Sequence, residues 1–132
     1  MNSSSTQLEV TLPSETSALG SLRLQLAMDA ADSGADLDVV EELVLVASEL
    51  ASNVIRHTDE EQVRVRLGKS DDEWTLDVSG AGSLDAIPGR DGMPSPMQEG
   101  GRGLVIVRAM MDAVELLDDD GDRWIRARKW RS

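Results

Sequence analysis

"SELASNVIRH", Ser48 to His57, sets a carboxylate, Glu49, four residues ahead of a carboxamide, Asn53, inside a stretch that otherwise reads as a buried helix. On a helix, residues four apart stand one above the other, so the two side chains present their oxygens to the same point in space. The flanking pattern supports the helix: Val39, Val40, Leu43, Val46, Leu50, Val54 and Ile55 recur at three- and four-residue spacing. Asp36 or Asp38 can cap its start, Glu41 and Glu42 suit its positive end, and it closes near His57, a partner for its negative end. A hard cation such as Mg²⁺ takes oxygen ligands of this kind, and a carboxylate beside it can orient or deprotonate a hydroxyl. The competing reading is a solvated or interhelical polar pair, since Glu-x-x-x-Asn is common on helices.

Outward from this helix, the chain alternates between strand and helix periods. Leu8, Val10 and Leu12 alternate with polar neighbours and stop at Pro13, which predicts a first strand after a loose polar tail over residues 1–7. A first helix follows through Leu19, Leu22, Leu26 and Ala30, with Ser14 or Thr16 as candidate caps and "DSGAD" as its stop. Beyond His57 come strand-like "QVRVRLG", "EWTLDVSG", "AVELLDDD" and "RWIRARKW", two pairs of them joined by the acidic turns "KSDD" and "DDDGD". Arg64 and Arg66 alternate with Val63, Val65 and Leu67, so one sheet face is wet. Between the second and third of these strands lies a Gly/Pro-rich segment too irregular for regular structure, then "LVIVRAMMDAV" with helical spacing. Loops of this length inside compact domains are usually lids or binding segments, and residues 83–100 are assigned that role.

Length and composition bound the possibilities. A chain of 132 residues holds one domain, here residues 8–132. With no Phe, no Tyr and three Trp, its core is built from Leu, Val, Ile, Ala and Met. The net charge of -12 argues against direct nucleic-acid contact and anionic membranes, and favours protein partners with basic surfaces. The absence of cysteine excludes disulfides, thiolate nucleophiles and Cys-zinc sites. No apolar run approaches about 18 residues, so a cytoplasmic location is expected.

The order of motifs is more specific than any one of them. A strand runs into "GAG", a long loop follows, and "GGRGL" opens a helix. Backbone N–H groups at a glycine-rich helix start make an anion site, and a triphosphate there can be bridged to Asn53 through Mg²⁺. This arrangement resembles the nucleotide fold shared by gyrase, Hsp90, histidine kinases and MutL, and within it the anti-sigma-factor serine kinases of the RsbW type. The resemblance spans nearly the whole chain, from Leu8 to Trp130, and "EGGRGLVIVRAMMDAVE" is its most specific stretch.

That resemblance implies an α/β two-layer sandwich: a mixed, mostly antiparallel sheet with three helices on one face. It implies ATP and Mg²⁺ as cofactors, Asn53 as the Mg²⁺ ligand, and Glu49 as the catalytic residue that orients or deprotonates the acceptor hydroxyl. Gly80 and Gly82 would line the nucleotide, and Gly101, Arg102, Gly103 and Leu104 would hold its phosphates. It further implies a partner-switching regulator that holds a sigma factor and phosphorylates a Ser or Thr of a STAS-domain antagonist; related small domains often form homodimers. One position departs from the pattern. The family's Asp-x-Gly-x-Gly carries an Asp that receives the adenine amino group, and aligning its glycines to Gly80 and Gly82 puts Val78 there, with Ser79 as the nearest substitute acceptor. The departure keeps a second function open, a nucleotide-independent module of the same fold that sequesters a partner, and a third, an activator switch docking on a phosphatase. Arg102 and Arg108 are candidate phosphate or partner contacts, and Met93, Met97, Met110 and Met111 are either core filling or an adaptable surface.

Overall fold

The computed structural model describes residues 5–80, 102–119 and 121–131. Five strands and three helices follow in the order β1 (Ser5–Pro13), α1 (Leu19–Asp32), α2 (Leu37–His57), β2 (Gln62–Lys69), β3 (Glu73–Ser79), α3 (Arg102–Met110), β4 (Ala113–Asp119) and β5 (Asp122–Trp130). The strands form one sheet in the order β1-β2-β3-β5-β4, and every pairing is antiparallel. The helices cover one face of it, which is the expected two-layer arrangement.

Register explains why this face is the core. Val10, Val65, Val78, Ile125 and Leu116 are successive cross-strand partners, forming one apolar row that crosses all five strands. Leu22, Leu26, Leu43, Val46 and Leu50 of α1 and α2, with Val107 of α3, are buried in the same cluster as this face. The one-residue alternation of strands puts the other set of side chains outward, where Glu9, Arg66, Asp77, Arg126 and Glu115 form a parallel row of alternating charge.

That outer face is less wet than the alternation implies. Asp77 is almost fully buried between two guanidinium groups, Arg126 at 2.7 and 2.9 Å and Arg66 at 3.1 Å. The bond to Asp77 raises the Arg126 pKa above its ordinary value, with desolvation opposing the shift. Trp124 is also buried, beneath Arg66 at 3.8 Å and Arg64 at 4.7 Å from its ring centre. Arginine stems and planar heads therefore cover a face that no helix covers.

Four local expectations change. β1 starts at Ser5, so Ser5 to Gln7 belong to the strand and not to a loose tail. Ser5 and Thr6 pair with Lys69 and Gly68, and a bulge at Gln7 sends its side chain to Ser33. Backbone pairing holds this segment, and no apolar alternation marks it in the sequence. The first helix has no side-chain cap from Ser14 or Thr16: a 3₁₀ turn, Thr16–Ala18, leads into it. Asp36 occupies the N-cap position of α2, where its backbone carbonyl accepts from Val40 at 2.9 Å and its side chain caps nothing. The helical reading of "LVIVRAMMDAV" also ends early, at Met110, because Ala113 and Val114 pair with Arg128 and Ala127 in the sheet.

Candidate functional site

α2 is amphipathic, with Val40, Leu43, Val46, Ala47, Leu50, Ala51 and Val54 turned to the core. Glu49 and Asn53 sit at the edge of that buried stripe, and both are half-buried. The Asn53 Nδ2 is fully buried and, like the Trp124 Nε1, has no hydrogen-bond partner among the described residues. A buried amide donor without a partner costs about 1–3 kcal/mol, which makes Asn53 a candidate donor to an acceptor such as a phosphate oxygen. α2 closes just beyond it, where Thr58 donates to the Val54 carbonyl through both Oγ1, at 2.7 Å, and its backbone N–H, at 3.1 Å. His57 is exposed in the last turn, beside Arg56, as a partner for the negative end of the helix.

α3 approaches α2 from the other side. Lys129 of β5 donates to the Met110 carbonyl at 3.0 Å and pairs with Glu42 at 2.7 Å, which fixes the C-terminal end of α3 beside the first half of α2. α3 packs along α2 with Val107 buried. Nine residues rise about 12 Å from first to last. Arg102, Gly103 and Leu104 fall in the first turn of α3.

The end of β3 reaches the same region. Gly80 has φ +84° and donates to the Arg123 carbonyl at 3.1 Å. A Cβ on it would lie 2.9 Å from the Val54 side chain and 3.2 Å from Glu60, so only glycine lets the strand leave the sheet this close to α2. Two of the expected segments are thus brought together: the end of α2, where Val54 follows Asn53, and Gly80. Gly82, Gly101 and the lid, residues 83–100, lie outside the described residues, as do Met93 and Met97. Met111 is buried and Met110 half-buried, in keeping with core filling.

The base end of this site differs from its phosphate end. Val78 has no exposed surface and is the central member of the apolar row, between Val65 and Ile125. Ser79 does not replace an acidic acceptor: it faces the opposite side of the sheet, where its Oγ accepts the Arg64 N–H at 2.8 Å. Asp77, two residues before Ser79, faces that same outer side and is engaged by two arginines. No carboxylate of β3 is offered to the helix side at this point.

Sequence reasoning missed two features. Arg23 of α1 donates to Ser48 of α2 at 2.8 Å, one residue before Glu49, tying the two helices together. An acidic cleft also lies at the end of the sheet beside Gly80, lined by Asp59, Glu60, Glu61 and Asp122, with Arg64 paired to Asp122. The acid-rich turns "TDEE" and "DDDGD" were the only signal for it, and their proximity depends on the β3–β5 register. Among the described residues no helix is long and apolar enough to cross a membrane.

A five-stranded antiparallel sheet with three helices on one face is consistent with a histidine kinase-like ATPase fold. The model of the histidine kinase-like ATPase domain matches residues 12–129, and the chain belongs to that family. Within it the chain groups with the RsbW-type serine-protein kinases. It is 30% identical to the serine-protein kinase RsbW of Bacillus velezensis, over 92% of this chain and 84% of that protein. The RsbW of Bacillus licheniformis is 29% identical over 86% of this chain and 79% of its own length, and that of Bacillus subtilis 27% over 92% and 84%.

Proposed function

We propose that this chain is an anti-sigma regulator with Mg-ATP-dependent serine/threonine kinase activity, acting on a STAS-domain antagonist of the sigma factor that it holds. The observation that carries this reading is the Glu49–Asn53 pair one turn apart on α2, with an Asn53 Nδ2 that has no partner among the described residues and can donate to a phosphate oxygen. The residues at this end fit the cofactor. Asn53 would hold Mg²⁺ through its carboxamide oxygen; Mg²⁺ commonly takes few protein ligands alongside phosphate and water. The backbone N–H groups from Gly101 to Leu104 would bind phosphate at the positive end of α3. Bound Mg-ATP supplies the phosphoryl group. Glu49 would accept or orient the proton of the substrate hydroxyl, raising its nucleophilicity.

At the base end the fit is weaker, since Val78, Ser79 and Asp77 offer no carboxylate to the helix side. A missing charge-assisted hydrogen bond of roughly 1.5–3 kcal/mol corresponds to about ten- to a hundredfold lower affinity. Val78 therefore supports the second reading, a binding module that sequesters its partner without nucleotide. Calorimetry with Mg-ATP separates the two. Kinase function requires measurable binding at or below millimolar nucleotide, lost in Asn53→Ala. Phosphate transfer to a STAS-domain substrate should then vanish in Glu49→Gln while nucleotide binding persists. No heat at millimolar Mg-ATP, with partner binding intact, would leave only the sequestration reading.

A further inference from the structure

Four large apolar side chains stand exposed among the described residues, and three of them belong to α1 and α2: Leu24, Met28 and Leu37, at 63%, 59% and 72% exposure. Leu24 and Met28 are one turn apart on the outer side of α1, and Leu37 opens α2. Between these helices runs an open groove of about 610 Å³, lined by the apolar Ala27, Val40, Val44 and Leu45. Its charged lining is Arg23, Glu41 and Glu49. Arg23 keeps its charge while bonded to Ser48, so with Glu41 and Glu49 the lining carries one net negative charge.

We propose that this groove docks an amphipathic helix of a partner protein, apolar along one stripe and rich in Lys and Arg on its flanks. A channel between two packed helices accepts a third helix through residues spaced three and four apart; Leu37 is an exposed apolar part of its lining, and Leu24 and Met28 each follow directly on a lining residue, Arg23 and Ala27. Charge selects the occupant. A second copy of this chain would bring another net charge of -12 to the contact, whereas basic flanks meet Glu41 and Glu49. Docking here ends beside Glu49 and needs no nucleotide, so it stands whether or not the chain is a kinase.

The test uses the full chain and a fluorescein-labelled 18-residue helical peptide with Leu at three- and four-residue spacing and Lys elsewhere, followed by anisotropy. Saturable binding is expected, weakened at least tenfold by Leu37→Glu and by Met28→Glu, both exposed positions where the fold should survive, as circular dichroism will verify. Trp130→Gln, at the fourth exposed apolar side chain, should leave the affinity unchanged. A scrambled peptide of the same composition should bind at least tenfold more weakly. Equal binding of the scrambled peptide, or full affinity in both glutamate variants, would overturn the proposal by reducing the interaction to bulk charge. So would a chain that sediments as a dimer, becomes monomeric in Leu37→Glu and ignores the peptide, since the occupant would then be a second copy.

Discussion

Two rows of side chains cross the same five strands one residue apart, and they are built on opposite principles. The row Val10–Val65–Val78–Ile125–Leu116 excludes water and gains from burying apolar area. The row Glu9–Arg66–Asp77–Arg126–Glu115 keeps partial access to water and cancels charge by alternation. The contrast matters for function because Asp77 and Val78 are neighbours in sequence: the strand owns a carboxylate, but its pleat assigns that carboxylate to the face away from the candidate site. A residue's chemistry is set here by parity along the strand.

The contrast can be broken most severely from the apolar side. Val78→Asp puts a carboxylate into the closed row and should cost about 3–5 kcal/mol in urea unfolding, as expected for an unpaired buried charge. Leu76→Ala, fully buried on the same face, should cost about 3 kcal/mol through lost burial and the cavity left behind. Asp77→Ala tests the charged row. Its two guanidinium partners keep 18% and 31% of their side-chain surface exposed and can turn to water, so a loss of about 2 kcal/mol is expected, less than for Val78→Asp. Adding Arg126→Ala to Asp77→Ala should recover part of it; strict additivity would deny that the pair is coupled. Gly80→Ala, with its positive φ and close contact to Val54, should lose about 1–2 kcal/mol. Asp118→Ala removes an exposed pair with Arg123 and should stay within about 0.5 kcal/mol.

Much of this was legible in the chain itself. α2 was readable because its apolar period runs over many turns, and the Glu49–Asn53 pair because helical adjacency is local. Strand parity alone put Val78 in the core, and the glycine-bounded exit of β3 was marked by Gly80. What was hidden depends on distant partners. Ser5 to Gln7 join the sheet through Gly68 and Lys69, the burial of Trp124 rests on arginines from another strand, and the helix starts are closed by backbone geometry in place of the Ser, Thr and Asp side chains nearby. The polarity of Arg64 and Arg66 suggested a wet face, and only the cross-strand register shows that they roof an indole. The exposure of Leu37 was not legible, since helical period cannot reveal which apolar residue lacks a neighbour.

Lys129 carries a further consequence. One ammonium holds the sheet, the acidic side chain of Glu42 and the terminal carbonyl of α3 at a single point. Mechanically that point is a pin: whatever moves α3 must turn it about Met110 or break the contacts of Lys129.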